Sequence, residues 1–142
     1  MASTDEEMEK LAIQAQLAQQ QGQALQSQLD MLQGTMTDLN MTIDTIRNLK
    51  KAKSQSLLPI GSGTYITCQK VAPDNVMVSV GGGVIVVKKA DDAAELLEKR
   101  LKMVSDAFDK AQKDFFEVNR RISDLNTRAA ALAGQMENVR PA

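Results

Sequence analysis

The sequence predicts an α+β fold in which a long antiparallel two-helix coiled coil flanks two central β-hairpins. Three observations predict it. Apolar residues recur at heptad spacing in the first third of the chain and again in the last third. The stretch between them is nearly free of charge and rich in β-branched residues.

The first helix is expected over residues 5–53. Met8, Ala15, Gly22, Leu29, Met36 and Ile43 recur every seventh residue, and Leu11, Ala18, Leu25, Leu32, Leu39 and Ile46 follow three residues behind. Together they form the a/d seam of a coiled coil. Thr4 followed by Glu7 reads as a capping box that opens the helix. The second helix is expected over residues 91–139. Its seam alternates steps of four and three through Leu97, Leu101, Val104, Phe108, Ala111, Phe115, Val118, Ile122, Leu125, Ala129, Leu132, Met136 and Val139. Asp92 and Glu95 repeat the capping arrangement, and Pro141 falls beyond the last turn. Each helix is about 70 Å long at 1.5 Å per residue. Two helices of similar length joined by a small middle fold back on each other. This places Met8 and Leu11 near Leu132 and Met136, and Ile46 near Leu97.

Residues 56–88 change character. Four strands are expected, at Leu57–Ile60, Thr64–Gln69, Val76–Val80 and Val84–Val87. "GSG" at 61–63 and "GGG" at 81–83 supply the positive φ angles that tight reversals need, and "APDN" at 72–75 links the two hairpins. Glycine clusters after strands also raise the question of a phosphate site. The Rossmann spacing fails at Val86, neither cluster carries Gly-Lys-Ser/Thr, and "VIVV" and "TYIT" continue as strands. A phosphate loop needs a helix opening at that point. These glycines turn hairpins, and no nucleotide cofactor is expected.

Composition narrows the functions further. The chain has no histidine, so no Ser-His or Cys-His pair can form and the usual imidazole ligands for zinc are absent. With 17 basic and 18 acidic residues it has no basic surplus for nucleic acid. Lys50, Lys51 and Lys53 read as the solvated end of a helix. Cys68 reads as a small apolar strand residue, consistent with a reducing compartment. The acidic "MASTDEEMEK" start does not look like a secretory signal, and no apolar run reaches membrane-spanning length. A soluble, cytoplasmic protein is expected.

Two short uncharged hairpins cannot bury themselves, and their open edges invite pairing. Partner chains are therefore expected to complete the sheet. Ile60, Tyr65, Ile66, Val76, Val78, Val80, Val84, Ile85 and Val87 are the expected assembly residues, with one alternating set inward and the other against neighbours.

"LLPIGSGTYI" (57–66) and "MVSVGGGVIVVKKADDAAELLEKRL" (77–101) resemble the prefoldin family, specifically its archaeal alpha-type subunits, and the resemblance covers nearly the whole chain. It implies one subunit over 1–142 whose hairpins join an inter-subunit β-barrel. The implied assembly is a hexamer of two alpha and four beta-type subunits with the coiled coils projecting from it. It further implies an ATP-independent chaperone that captures non-native polypeptides at the coil tips and passes them to a group II chaperonin, with no cofactor and no catalytic or metal-binding residue expected. The competing reading is a coiled-coil adaptor or spacer subunit of another complex.

For client capture, the expected residues are Met8, Leu11, Ile13, Leu17, Leu132, Met136 and Val139. Ala15, Ala18 and Gly22 thin the first seam there, and Ala129 and Gly134 thin the second, so little apolar area holds that part closed. Ile13 and Leu17 lie off the seam, four residues apart, as a second apolar stripe. The surrounding polar face is made of glutamines, with no charge between Leu11 and Leu29. Met31, Met41, Met103 and Phe116 also fall off the seam and read as isolated exposures.

Overall fold

The computed structural model describes residues 2–51, 56–69 and 74–139. In chain order α1 (Ala2–Asn48) passes into a 3₁₀ turn (Leu49–Lys51). Then follow β1 (Ser56–Gly61), β2 (Thr64–Cys68), β3 (Val76–Gly81), β4 (Val84–Lys88) and α2 (Ala90–Val139). Lys53, Pro73 and Pro141, used above to mark a helix end, a turn and a stop, lie outside the described residues. None of the described helices is long and apolar enough to cross a membrane.

The chain divides into two units, one from residues 1–33 and 106–142, the other from residues 34–105. In the first, the heptad seam faces inward. Ala18, Leu29, Ala111, Val118 and Leu125 are buried. Met8, Leu11, Ala15, Leu25, Leu32, Phe108, Phe115, Ile122, Ala129 and Leu132 are half-buried. The helices run antiparallel here: Gly22 faces Val118 and Ile122, while Leu11 shares a groove with Leu132. Off-seam Ile13, Leu17, Met31 and Phe116 are all exposed.

Both helices start earlier than their acidic residues suggest. α1 begins at Ala2, so Thr4 is not a cap. It sits in the first turn, half-buried, one four-residue step before Met8, and extends the seam by a position. α2 begins at Ala90, and the Ala93 N–H donates to the Lys89 carbonyl at 2.8 Å, so Lys89 occupies the cap position instead of Asp92. Asp91 and Asp92 then lie in the first turn, where the helix dipole favours negative charge. The early start has a packing cause, because Ala90, Ala93 and Ala94 are 2%, 0% and 0% exposed against the second hairpin.

The second unit contains both hairpins, β1–β2 and β3–β4, as separate two-stranded antiparallel sheets. Each turn has two residues at positive φ, Ser62 (49°) and Gly63 (71°) in one, Gly82 (60°) and Gly83 (77°) in the other. These angles match the right-handed strand twist in a two-residue reversal. The hairpins superimpose in sequence with an offset of twenty residues. Leu58 pairs with Ile66 as Val78 pairs with Val86, and a bulge falls between Pro59 and Gly61 as between Ser79 and Gly81.

The register sorts the faces of the second hairpin. Val76 opposes Lys88 and Val78 opposes Val86 on one face, while Met77 opposes Val87 and Ser79 opposes Ile85 on the other. The first face packs on the helices. Val78 joins Ile43, Ile46, Ala90, Ala93, Ala94 and Leu97 in one buried cluster, flanked by Leu39, Val76, Val86, Leu96 and Leu101. Burial of each large aliphatic side chain there contributes about 1.5–3 kcal/mol. The Arg100 guanidinium donates to the Ser79 carbonyl at 2.5 Å and ties β3 to α2. Arg47 on α1 forms an ion pair with Glu98 on α2. The hydrogen bond and then the charge of Glu98, followed by the charges of Asp91 and Glu95, raise the Arg47 pKa above its ordinary value. Both side chains are about half exposed, so solvent screens the pair and it adds little to stability.

Candidate functional site

Two surfaces carry the expected functional residues. The first is a groove of about 510 Å³ between α1 and α2 in the first unit. Glu7, Lys10, Leu11 and Gln14 line one wall; Arg128, Ala131, Leu132 and Gln135 line the other. Each set has the i, i+3, i+4, i+7 spacing of one helix face, which is why two antiparallel helices form a trough instead of a closed pocket. Leu11 and Leu132 are half-buried, and Glu7, Lys10 and Arg128 are exposed. The groove therefore has an apolar pair between charged rims.

Of the expected capture residues, the structure brings Leu11 and Leu132 together in this groove and leaves Met8 half-buried on the seam. Ile13 and Leu17 stand outside it on α1, 58% and 59% exposed. The side chains of Met136 and Val139 lie outside the described residues. The charged rim was not anticipated. Its signal was the four-residue companions of Leu11 and Leu132, Glu7 and Arg128.

Gly22 is the thinnest point of the α1 seam. A Cβ there would meet Val118 Cγ1 at 3.5 Å and Ile122 Cδ1 at 3.9 Å, ordinary packing distances. Gly22→Ala is expected to stabilise the coil by about 0.5–1 kcal/mol, through the helix propensity gained. A thermal melt followed by circular dichroism checks it; a lower melting temperature would mean that the helices touch more tightly at Gly22 than these distances allow.

The second surface is on the hairpins. Ile60, Tyr65, Ile66, Val80, Val84, Ile85 and Val87 are exposed, at 45–61%. Val78 is buried and Val76 half-buried, both against their own chain's helices. Leu57 (66%), Leu58 (42%) and Met77 (71%) are exposed as well and were not anticipated; Leu57 and Met77 correspond across the hairpins. The twenty-residue offset between the hairpins would have found them as a matched pair. Among the described residues no group of three or more His, Cys, Asp or Glu side chains is placed to hold a metal ion.

Comparison with known proteins agrees with this arrangement. The prefoldin family model, described as prefoldin subunit, matches residues 18–135. The chain is 36% identical over 132 residues to prefoldin subunit alpha of Pyrococcus horikoshii, covering 91% of this chain and 89% of that protein. It is 28% identical over 137 residues to prefoldin subunit alpha of Methanosarcina mazei, covering 93% and 96%. In fold it is similar to a chain in the cryo-EM structure of filamentous PFD from Methanocaldococcus jannaschii. The TM-score is 0.69 at 21% identity, with 82% of this chain and 98% of that chain covered. Helices with an apolar heptad seam, two glycine-turned hairpins and these matches lead to one assignment: the chain belongs to the prefoldin family of chaperone subunits, and within it to the alpha type.

Proposed function

We propose that this chain assembles through its hairpins with beta-type prefoldin subunits, as a hexamer of two alpha and four beta chains. In this reading it captures non-native polypeptides without ATP at the coiled-coil tips and passes them to a group II chaperonin. It performs no catalysis and needs no cofactor. One observation carries the capture step: Ile13 and Leu17, both more than half exposed, stand off the seam on the same stretch of α1 whose Leu11 shares a groove with Leu132. Apolar side chains presented this way on a paired helix suit a transient apolar ligand. The exposed strand residues support the assembly step. On one face of the second hairpin Met77, Ile85 and Val87 are left exposed by the described residues, and a two-stranded ribbon needs cover on such a face.

The test is a quadruple variant, Ile13→Ser, Leu17→Ser, Leu132→Ser and Val139→Ser, assembled with a beta-type subunit. Suppression of aggregation of a chemically unfolded protein is expected to fall by more than about half, since each serine removes apolar contact area, while the mass of the assembly stays the same. Unchanged suppression rejects the capture residues. A wild-type assembly that suppresses nothing supports the adaptor reading instead.

A further inference from the structure

We infer that Arg100 is a positioning residue for subunit assembly: it clamps the turn end of the second hairpin onto α2, so that the face carrying Ile85 meets a neighbouring chain already in place. This rests on the assembly reading above and names what aims that surface.

Only Lys89 separates β4 from α2, and the hairpin doubles back along the helix it precedes. The five residues of β4 span about 16 Å, and the stretch from Ala90 to Arg100 spans about 15 Å. Ala90, Ala93, Ala94 and Leu97 form the helix face beneath Val78, at i, i+3, i+4 and i+7. Three alanines put no long side chain between ribbon and helix. Arg100 follows three residues after Leu97, half-buried, and its guanidinium donates to the Ser79 carbonyl at 2.5 Å. A charged donor makes this a stronger bond than a neutral one.

The clamp sits where the ribbon is free to bend. On β3 the buried cluster reaches no further than Val78. Beyond it Val80 and Val84 are exposed, and Gly81, Gly82 and Gly83 all have positive φ. Val80 has no partner in the strand register, and such a bulge bends and twists a ribbon. The glycines add backbone freedom on top of the bulge. Arg100 bonds the residue just before this joint. Ser79 also opposes Ile85 on the outward face, so fixing the Ser79 backbone fixes the direction in which Ile85 is presented. A surface ordered before contact costs less to bind than one ordered during it.

Arg100→Met keeps the apolar stem and removes the donors, whereas Arg100→Lys keeps a cationic donor. Hydrogen exchange on the unassembled chain reads the clamp directly. In Arg100→Met the amides of Val80–Val84 are expected to exchange about tenfold faster, with those of Ala93, Ala94, Leu97 and the first hairpin's turn unchanged. Mixed with a beta-type subunit, Arg100→Met is expected to need about tenfold more protein for half-assembly yet to reach the wild-type mass at saturation, with Arg100→Lys in between. Assembly and exchange both equal to wild type overturn the inference. Weaker assembly with unchanged exchange would make Arg100 a direct partner contact and also overturn it. So would faster exchange spread through Ala93, Ala94 and Leu97, the mark of a purely structural role. If the wild-type chain does not assemble with a beta-type subunit at all, the assembly reading fails and takes this inference with it.

Discussion

Val78→Asp is expected to cost about 4 kcal/mol of stability, lowering the melting temperature by about 10 °C or more. Val78 is 6% exposed in a cluster whose other members are all aliphatic. The substitution loses about 1.5–3 kcal/mol of apolar burial and places a carboxylate against Ala90, Ala93 and Ala94 at the start of α2. Asp91, Asp92 and Glu95 already occupy that first stretch of the helix, so the added charge meets more carboxylates in the sequence around it. Val78→Ala isolates the packing part and should cost about half as much. Circular dichroism melts of the two variants beside the wild type check the ranking. A Val78→Asp melt within about 2 °C of wild type would mean that β3 does not rest on α2 in solution.

Ile85→Asp, on the other face of the same hairpin, is expected to do the opposite. Ile85 is 60% exposed and opposes Ser79 beside the Met77–Val87 pair. In the isolated chain an aspartate there stays in water, so helix content and melting temperature should change little. In an assembly that covers this face, an unpaired carboxylate is desolvated and the complex should not form. Mixing each variant with a beta-type subunit and measuring mass by sedimentation separates the two effects. A complex of wild-type mass from Ile85→Asp would reject this face as a subunit contact.

The helices were legible because their signal is redundant. Every seam residue from Met8 to Ile46, and from Leu97 to Leu132, is buried or half-buried, and a slip of one residue would have broken the whole series. Helix starts were less legible. Thr4–Glu7 and Asp92–Glu95 satisfy a capping pattern that acidic residues in any first turn also satisfy. What fixed the start of α2 was Ala90 packing beneath Val78, a contact between β3 and α2 that sequence spacing does not encode. Strand faces were not legible either, because valine, isoleucine and methionine occupy both sides of β3 and β4, so alternation carries no contrast. The groove was half visible: Leu11 and Leu132 were named from the seam, but Lys10 and Arg128 become its rim only once the helices lie antiparallel.

The twenty-residue correspondence of the two hairpins has a consequence for valence. In hairpin two the Val78–Val86 face is taken up by the chain's own helices, while its hairpin-one counterpart, Leu58–Ile66, remains 42% and 49% exposed. The two copies of one ribbon are thus unequal, one anchored and one outstretched. Under the assembly proposed above, such a chain would meet neighbours through both ribbons and serve as a node, where a chain with a lone ribbon would close an end.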